Sequence, residues 1–272
     1  MQTQSRWAEK CPTTASTMAT KLKGVAGRLF VLLFWLTVWE LAALAVDREL
    51  LVPAPTAVFA RLWELIREKS FWLACLSGLG RMAGGYAAGV SAGVLLAFGA
   101  HWCRPLRMLI SPVFTVIRAT PVASFILIAL VWIGGGRVPV FTAFLMVLPI
   151  VWGGTVGGLE SVGRELPEMA RVFSLSPWRK LRYLYLPAVR TSLLSACVTA
   201  VGLAWKASVA AEVLCVSGNS VGLYLYRAKL YLETVDLYAW TVAVILLSLT
   251  LETALKAAVR RLTAKGGKCA HA

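Results

Sequence analysis

Long apolar runs separated by short polar stretches set the pattern of the 272-residue chain. A helix needs about 20 apolar residues to cross a bilayer, and six stretches meet that requirement. They do not show the apolar–polar alternation of a barrel strand, so they predict helices. The predicted fold class is an all-α polytopic membrane protein, with a membrane domain over residues 25–260 and cytoplasmic tails over residues 1–24 and 261–272. The predicted spans are residues 25–46, 71–100, 109–134, 138–158, 188–215 and 237–258.

The stretch between the first two spans predicts a short amphipathic helix on the outer surface, with a plain linker as an equal alternative. Pro53 and Pro55 interrupt the preceding run, and Thr56 can cap a helix that follows. The apolar residues of that helix fall on one face. They are Val58, Phe59, Leu62, Trp63 and Ile66.

Glycines recur at four-residue spacing in the second span, and further glycines lie in the fourth. Small residues four apart form a groove in which a neighbouring helix can approach closely. We therefore predict that these glycines serve helix packing rather than a ligand. They are Gly80, Gly84, Gly85, Gly89 and Gly93 in the second span, and Gly153, Gly154, Gly157 and Gly158 in the fourth.

A charged stretch, ELPEMARVFSLSPWRKLRYLYLP, separates the fourth and fifth spans. Its first half repeats apolar residues at helical spacing, and Ser176 and Pro177 favour the start of a second helix after a break. The pattern predicts a helical pair that is apolar on one face. Such a pair can lie on the membrane or fill a groove on a partner protein. The apolar positions are Leu166, Met169, Ala170 and Phe173, then Trp178, Leu181, Leu184 and Tyr185.

Composition supports the membrane assignment and narrows the chemistry. The chain is 58% apolar and only 15% charged, with a net charge of +15. The pieces on the side of the tails and of the charged stretch carry more than twice as many lysines and arginines as the other side. The positive-inside rule then predicts cytoplasmic termini and accounts for the charge without nucleic acid. The six cysteines and two histidines show no metal-ligand spacing, so neither metal nor cofactor is expected.

The charged stretch resembles the cytoplasmic coupling signature of ABC importer permeases: Glu-Ala-Ala, three residues, Gly, nine residues, Ile, one residue, Leu-Pro. Two departures stand out, Met169 in place of the first Ala and Ser174 in place of Gly, and we expect Ser174 to make the turn less sharp. The matching positions are Glu168, Met169, Ala170, Ser174, Leu184, Leu186 and Pro187. Phe173 completes the predicted ATPase-coupling set within residues 163–187.

Three further stretches resemble the nitrate/sulfonate/taurine-type permease group: LVPAPTAVFARLWEL, RATPVASFILIALVWIGGG and GLAWKASVAAEVL. The resemblance implies a homodimeric, non-catalytic transport subunit in the bacterial inner membrane. Its partners would be a cytoplasmic ATPase, an extracytoplasmic solute-binding protein and a second permease copy. The solute would be a small anion such as nitrate, a sulfonate or taurine, with a cofactor precursor such as a pyrimidine as the alternative. The chain has no GxxxxGK[ST] stretch, so ATP binding by a P-loop is left to the partner.

Charged residues inside the predicted spans are candidates for the translocation path. A deep charge costs at least about 2.5–3.5 kcal/mol on insertion scales, so each one is expected to face water or the bundle interior. The alternative is internal salt bridging, in which Glu40 or Glu212 neutralises one of the cations. The candidates are Arg81, Arg118, Lys206 and Glu212.

Two other classes of function remain to be weighed. An ion-coupled secondary transporter would act without an ATPase and predicts internal repeats with paired broken helices, which the sequence does not show. A membrane-embedded enzyme would need a nucleophile motif, paired carboxylates or a metal motif, and no catalytic residue of these kinds is found in the sequence.

Overall fold

The computed structural model describes residues 14–46, 50–163, 165–216 and 218–267. Within these ranges all regular structure is helical. The elements are α1 (Thr14–Val46), α2 (Pro55–Arg67), α3 (Lys69–Trp102), α4 (Arg104–Ala119), α5 (Val122–Ile133), α6 (Val138–Glu160), α7 (Glu165–Val172), α8 (Pro177–Lys180), a π-helical turn (Leu181–Tyr185), α9 (Leu186–Cys215), α10 (Val221–Leu230) and α11 (Thr234–Gly267).

Five stretches of the described chain are long and apolar enough to cross a membrane, which confirms five of the six predicted spans: α1, α3, α6, α9 with the helix that leads into it, and α11. The third predicted span is not one straight helix. It consists of α4 and α5, which meet at an angle of 107°. Pro121 disfavours helical geometry at the preceding residue, and Thr120 is extended (φ −83°, ψ 134°).

Helical structure extends into both predicted tails. Helix α1 begins at Thr14, within the predicted tail 1–24, and α11 continues to Gly267, beyond the predicted tail boundary at residue 261. The rest of both tails, residues 1–13 and 268–272, lies outside the described residues.

Helices α3, α6 and α9 form the centre of the bundle, and glycines allow them to pack closely. A Cβ atom at Gly85 would overlap the carbonyl oxygen of Val140, and one at Gly89 would lie 2.8 Å from the Cβ of Val147. On α6, a Cβ at Gly158 would lie 2.8 Å from the Cα of Val189. The predicted packing role is confirmed at these positions, whereas Gly80, Gly84 and Gly157 face open space within the chain.

The predicted amphipathic helix is present as α2, but its buried face and its cap differ from the prediction. Val58 and Leu62 are buried in the bundle, whereas Phe59 and Trp63 are exposed. The cap position is Ala54, followed directly by Pro55, so Thr56 does not cap the helix. Proline suits this place because its missing N–H would be unbonded there in any case.

An ion pair fastens α2 to the start of α11. Arg61 Nε donates to Asp236 Oδ1 at 2.6 Å, and Arg61 Nη2 donates to Oδ2 at 3.1 Å. Hydrogen bonds to Asp236 and Glu64 raise the pKa of Arg61 above its ordinary value. The pair holds a short helix whose own length would not keep it in place.

Helix α1 lies at the edge of the bundle. Ala43 is buried, and the ring of Trp39 lies 6.0 Å from that of Tyr238 on α11. Most of the large apolar side chains described on it are exposed, among them Phe34 and Trp35. The described chain therefore leaves most of α1 for lipid or for another protein to cover.

Candidate functional site

Contacts between the ends of helices identify two opposite sides of the bundle. On one side the end of α3 meets the segment Glu165–Tyr185, since the rings of His101 and Tyr185 lie 5.1 Å apart. We call this segment the hairpin and this side the hairpin side. On the opposite side, Ser77 near the start of α3 donates to the carbonyl oxygen of Asn219 at 2.8 Å.

The first helix of the hairpin, α7, ends in a tight left-handed turn. Leu175 N donates to Ala170 O at 3.0 Å, and Ser174 N donates to Arg171 O at 2.9 Å. This is the Schellman pattern, in which the residue after the cap takes a positive φ. Ser174 has a φ of +51°. The expectation that serine would make this turn less sharp is therefore wrong.

The second helix begins as predicted but does not stop before the next span. The Ser176 hydroxyl accepts from Arg179 N at 3.4 Å, and Pro177 occupies the first helical position. The chain then continues through the π-helical turn into α9 without a break, giving one helical run from Pro177 to Cys215. Pro187 is accommodated near the start of α9, where the regular α-helical hydrogen bonding resumes.

Apolar side chains of the hairpin point away from the described chain. Met169 on α7 is 55% exposed, Phe173 directly after α7 is 70% exposed, and Trp178 on α8 is 68% exposed. Leu166 is also exposed. Large apolar residues grouped in this way mark an interaction surface, because a soluble face is otherwise polar.

The predicted coupling residues divide into an outer and an inner group. Glu168, Met169, Phe173, Ser174, Leu186 and Pro187 are exposed. Ala170 is buried, and Leu184 is partly buried against the rest of the chain. The inner residues are covered by the described chain, and the outer ones form the free surface of the hairpin.

Glu212 and Arg81, two of the predicted path residues, form a buried ion pair. Arg81 Nε donates to Glu212 Oε1 at 3.1 Å, and Nη2 lies 3.0 Å from the same oxygen. The other carboxylate oxygen accepts from the backbone N–H of Gly222 at 3.2 Å, at the first turn of α10. The Glu212 side chain is fully buried. This is the internal salt bridging that the sequence left open, and it joins α3, α9 and α10.

Arg118 is held against α6. Its guanidinium donates to the carbonyl oxygen of Pro149. A Cβ atom at Gly153 would lie 2.8 Å from Arg118 Nη2, so the absence of a side chain there makes room for the guanidinium. Sequence reasoning missed this contact, because neither residue type on α6 signals a cation site.

Lys206 differs from the other intramembrane cations. It is exposed on α9 in line with Ser195, Thr199, Leu203 and Ala210. Among the described residues no carboxylate lies within ion-pair distance of it. Glu212, one of the two predicted partners, is taken by Arg81.

The chain is similar in sequence to one protein family and to several transport permeases. The sequence model of the family described as "binding-protein-dependent transport system inner membrane component" matches residues 89–265. The chain is 27% identical to a probable ABC transporter permease protein of Brucella melitensis over 247 residues, covering 90% of this chain and 99% of the relative. It is 24% identical to the taurine transport system permease protein of Escherichia coli, covering 87% of each chain.

A further relative and one solved structure were also matched, the latter in its fold. The nitrate import permease protein of Synechocystis is 26% identical, covering 71% of this chain and 73% of the relative. The crystal structure of an amino acid ABC transporter with histidines matches the fold with a TM-score of 0.58 and 15% sequence identity. That match covers 72% of this chain and 94% of the solved chain.

Proposed function

Because the chain belongs to the family of binding-protein-dependent transport system inner membrane components, we propose that it works as follows. It is the membrane-spanning permease of an ABC importer. Its hairpin docks on a separate cytoplasmic ATPase, which hydrolyses the ATP. A solute-binding protein delivers the substrate on the opposite side. The predicted alternative, an ion-coupled secondary transporter without an ATPase, does not agree with this family.

The observation that carries the docking proposal is the free apolar surface of the hairpin. Met169 projects from α7, Phe173 from the turn that follows it, and Trp178 from α8. Hydrogen bonds fix that turn, and α8 continues into α9, which anchors the hairpin to the bundle. An anchored helix with exposed apolar residues suits a groove on a partner, since the helix does not have to be ordered on binding. Glu168 lies beside this surface and offers a charge to the partner.

The orientation proposal follows from charge. We assign the hairpin side to the cytoplasm, with both termini on that side. The excess of lysine and arginine in the pieces on this side supports the assignment. The binding protein would then meet the side that carries α2 and α10.

A second copy of the chain completes the proposed translocation path. The exposed row on α9 runs from Ser195 to Ala210 and includes Lys206. A lysine that faces lipid within a membrane span costs free energy, so we expect Lys206 to face water or protein. Two copies that face each other across this row would enclose a polar path, as a homodimeric permease requires.

The proposed substrate is a small anion. Relatives are named for taurine, nitrate and bicarbonate transport, and one for riboflavin. Lys206 has no ion-pair partner among the described residues, and such an ammonium along the path attracts an anion without holding it in a closed site. This supports the anionic members of that list for the present chain.

The docking proposal is tested by changing the hairpin surface. We expect Glu168→Lys and Phe173→Ser each to lower the amount of ATPase that co-purifies by about fivefold or more, because interface anchors of this kind carry about 1 kcal/mol or more. ATP-driven uptake into reconstituted vesicles should fall with it. Phe59→Ser is the matched control, since Phe59 is an exposed aromatic residue on α2, on the opposite side.

The control should leave ATPase association and uptake at the level of the unchanged protein. All three variants should reach the membrane in equal amounts. Full ATPase association by both hairpin variants would rule out this surface as the docking site.

A further inference from the structure

Helix α4 has a polar face that the coupling proposal does not use. Arg104, Arg107, Ser111, Thr115 and Arg118 follow one another at intervals of three or four residues, so they lie along one side of the helix. The other sides of α4 carry apolar residues. A continuous row of this kind on a helix of a membrane domain points to water, since lipid would not solvate it.

The polar face opens into a cavity of about 1080 Å³ on the hairpin side. The cavity lies between the end of α3, α4 and the end of α6. Its lining includes His101, Arg104, Arg107, Ser111, Thr115 and Glu160. We call this cavity and the polar face of α4 that runs on to Arg118 the α4 groove.

Helix α6 leaves room beside the polar face. A Cβ atom at Gly157 would meet nothing within 4 Å, and Gly153 admits the guanidinium of Arg118. The glycines at 153 and 157 and Glu160 fall at intervals of four and three residues, so they share one side of α6. At the Arg118 end of the α4 groove, α6 therefore presents glycine and leaves space for the guanidinium.

The charge of the groove is positive despite one carboxylate. Arg107 Nη2 pairs with Glu160 Oε1, and both side chains are about half exposed. That contact uses one nitrogen of the guanidinium and leaves its other donors available. Arg104 makes no ion pair with any described residue. The N-terminus of α4 also opens here, and its free N–H groups add a partial positive charge.

We propose that the α4 groove is a binding site for a small oxyanion, held by Arg104 and Arg107 and by the hydroxyls of Ser111 and Thr115. Two sources share this chemistry. One is the transported anion on its way to the hairpin side, and the other is the phosphate of an anionic lipid headgroup. Only the first use rests on the proposed transport function, because binding to the groove itself needs no transport.

Thiol accessibility measures the charge of the groove directly. The experiment uses the complete transporter in vesicles, with Cys11, Cys103 and Cys269 replaced by serine as the parent. Ser111→Cys and Thr115→Cys report on the groove. Val113→Cys is the matched control, since Val113 lies on the same helix turn but outside the polar face.

The probes are two methanethiosulfonates of similar size, one with a sulfonate and one with a trimethylammonium group. Each rate is divided by the rate of the same reagent with free 2-mercaptoethanol. We expect the anionic reagent to modify the groove thiols about tenfold faster than the cationic one, because a cationic cleft concentrates anions locally. Replacing both Arg104 and Arg107 with Gln should abolish that preference, and Val113→Cys should stay unmodified.

Three results would overturn the proposal. The first is modification of the groove thiols no faster than that of the control. The second is equal normalised rates for the two reagents. The third is a preference that survives the double arginine replacement. Uptake by the unchanged transporter is measured separately. A lack of uptake would contradict the transport proposal, whereas a lack of preference for the anionic reagent would contradict the oxyanion site.

Competition then identifies the source of the oxyanion. Modification of Ser111→Cys by the anionic reagent is repeated with sodium nitrate against sodium chloride at equal ionic strength. It is also repeated in phosphatidylcholine vesicles with and without phosphatidylglycerol. Protection by nitrate assigns the site to a soluble anion, and protection by phosphatidylglycerol assigns it to a headgroup. Protection by neither contradicts binding.

Discussion

Glu212 joins three helices through a single carboxylate. One oxygen receives the Arg81 guanidinium from α3, and the other accepts the Gly222 N–H at the start of α10. The carboxylate is fully buried, whereas the Arg81 side chain is 22% exposed. Removing one partner of such a pair leaves an uncompensated charge, which costs more than the pair itself contributes.

We expect Arg81→Met to destabilise the protein by about 3–5 kcal/mol, because it leaves the Glu212 carboxylate buried without a cation. Adding Glu212→Gln should restore most of the loss, since glutamine still accepts from Gly222. Thermal unfolding of the purified single and double variants measures both effects. Lys256→Met is the control: its pair with Glu252 spans one turn of a helix surface and should change stability by less than about 0.5 kcal/mol. Equal stability of Arg81→Met and the unchanged protein would contradict this role.

Lys206 leads to a different expectation, because no described carboxylate neutralises it. If it attracts a transported anion, Lys206→Met should lower uptake of that anion more than Lys206→Arg does, since arginine keeps the charge. The unfolding temperature should stay the same in both. Uptake and unfolding are measured on the same preparations. A loss of stability in Lys206→Met would favour a structural role, and undiminished uptake in a stable variant would exclude the path assignment.

The sequence predicted the candidates at this scale but not their partners. Charged residues stand out in an apolar run, so Arg81, Arg118, Lys206 and Glu212 could be identified. Which of them pair depends on helix rotation and on contacts over long separations, such as the 131 positions between Arg81 and Glu212. The backbone at Ser174 was missed for a related reason. The turn is set by its hydrogen bonds to Ala170 and Arg171, and serine accepts the positive φ at some cost.

At the scale of the elements, glycine spacing decides which helices touch. Two adjacent glycines on α3, Gly84 and Gly85, differ in what an added Cβ atom would contact. A Cβ at Gly85 would collide with α6, whereas one at Gly84 would meet nothing within 4 Å. Both glycines lie in the middle of the same helix, so backbone flexibility and helix propensity are matched.

Gly85→Ala should therefore destabilise the bundle by about 1–3 kcal/mol through overpacking, while Gly84→Ala should cause no loss. Unfolding temperature in detergent and the amount of folded protein in the membrane check the difference. Similar losses in the two variants would indicate a general need for glycine rather than contact with α6.

The spans were predictable because composition alone determines them. An apolar run of sufficient length has few alternatives in a bilayer. The break between α4 and α5 was not predicted, although its signal is present in Thr120-Pro121. A proline within an apolar run can kink or end a helix, and the sequence alone does not distinguish the two outcomes. The early start of α1 was missed because its first turns are polar.

At the scale of the whole molecule, the described chain leaves large surfaces uncovered. Most of α1, one face of α9 and the hairpin surface have no partner within it. Lipid suits the apolar part of these surfaces. The hairpin surface and the row on α9 that includes the charged Lys206 are instead expected to contact protein or water.

We expect the assembled transporter to contain two copies of this chain and two ATPase chains. A second copy would shield the α9 row that a single chain leaves open, as proposed above. Mass measurement of the intact complex, released from mild detergent, determines the stoichiometry. One copy of this chain, or one copy together with a different permease, would contradict the homodimer.

The uninterrupted helical run from Pro177 to Cys215 has a mechanical consequence. Its 39 residues extend about 58 Å at 1.5 Å per residue. One end belongs to the hairpin, and the other carries Lys206 and Glu212. A tilt of about 10° at the hairpin would swing the far end by about 10 Å if the run behaved as a rigid lever. The π-helical turn at Leu181–Tyr185 is the segment most able to bend. Its stiffness would therefore determine how much of a hairpin movement reaches the end of α9 that carries Lys206 and Glu212.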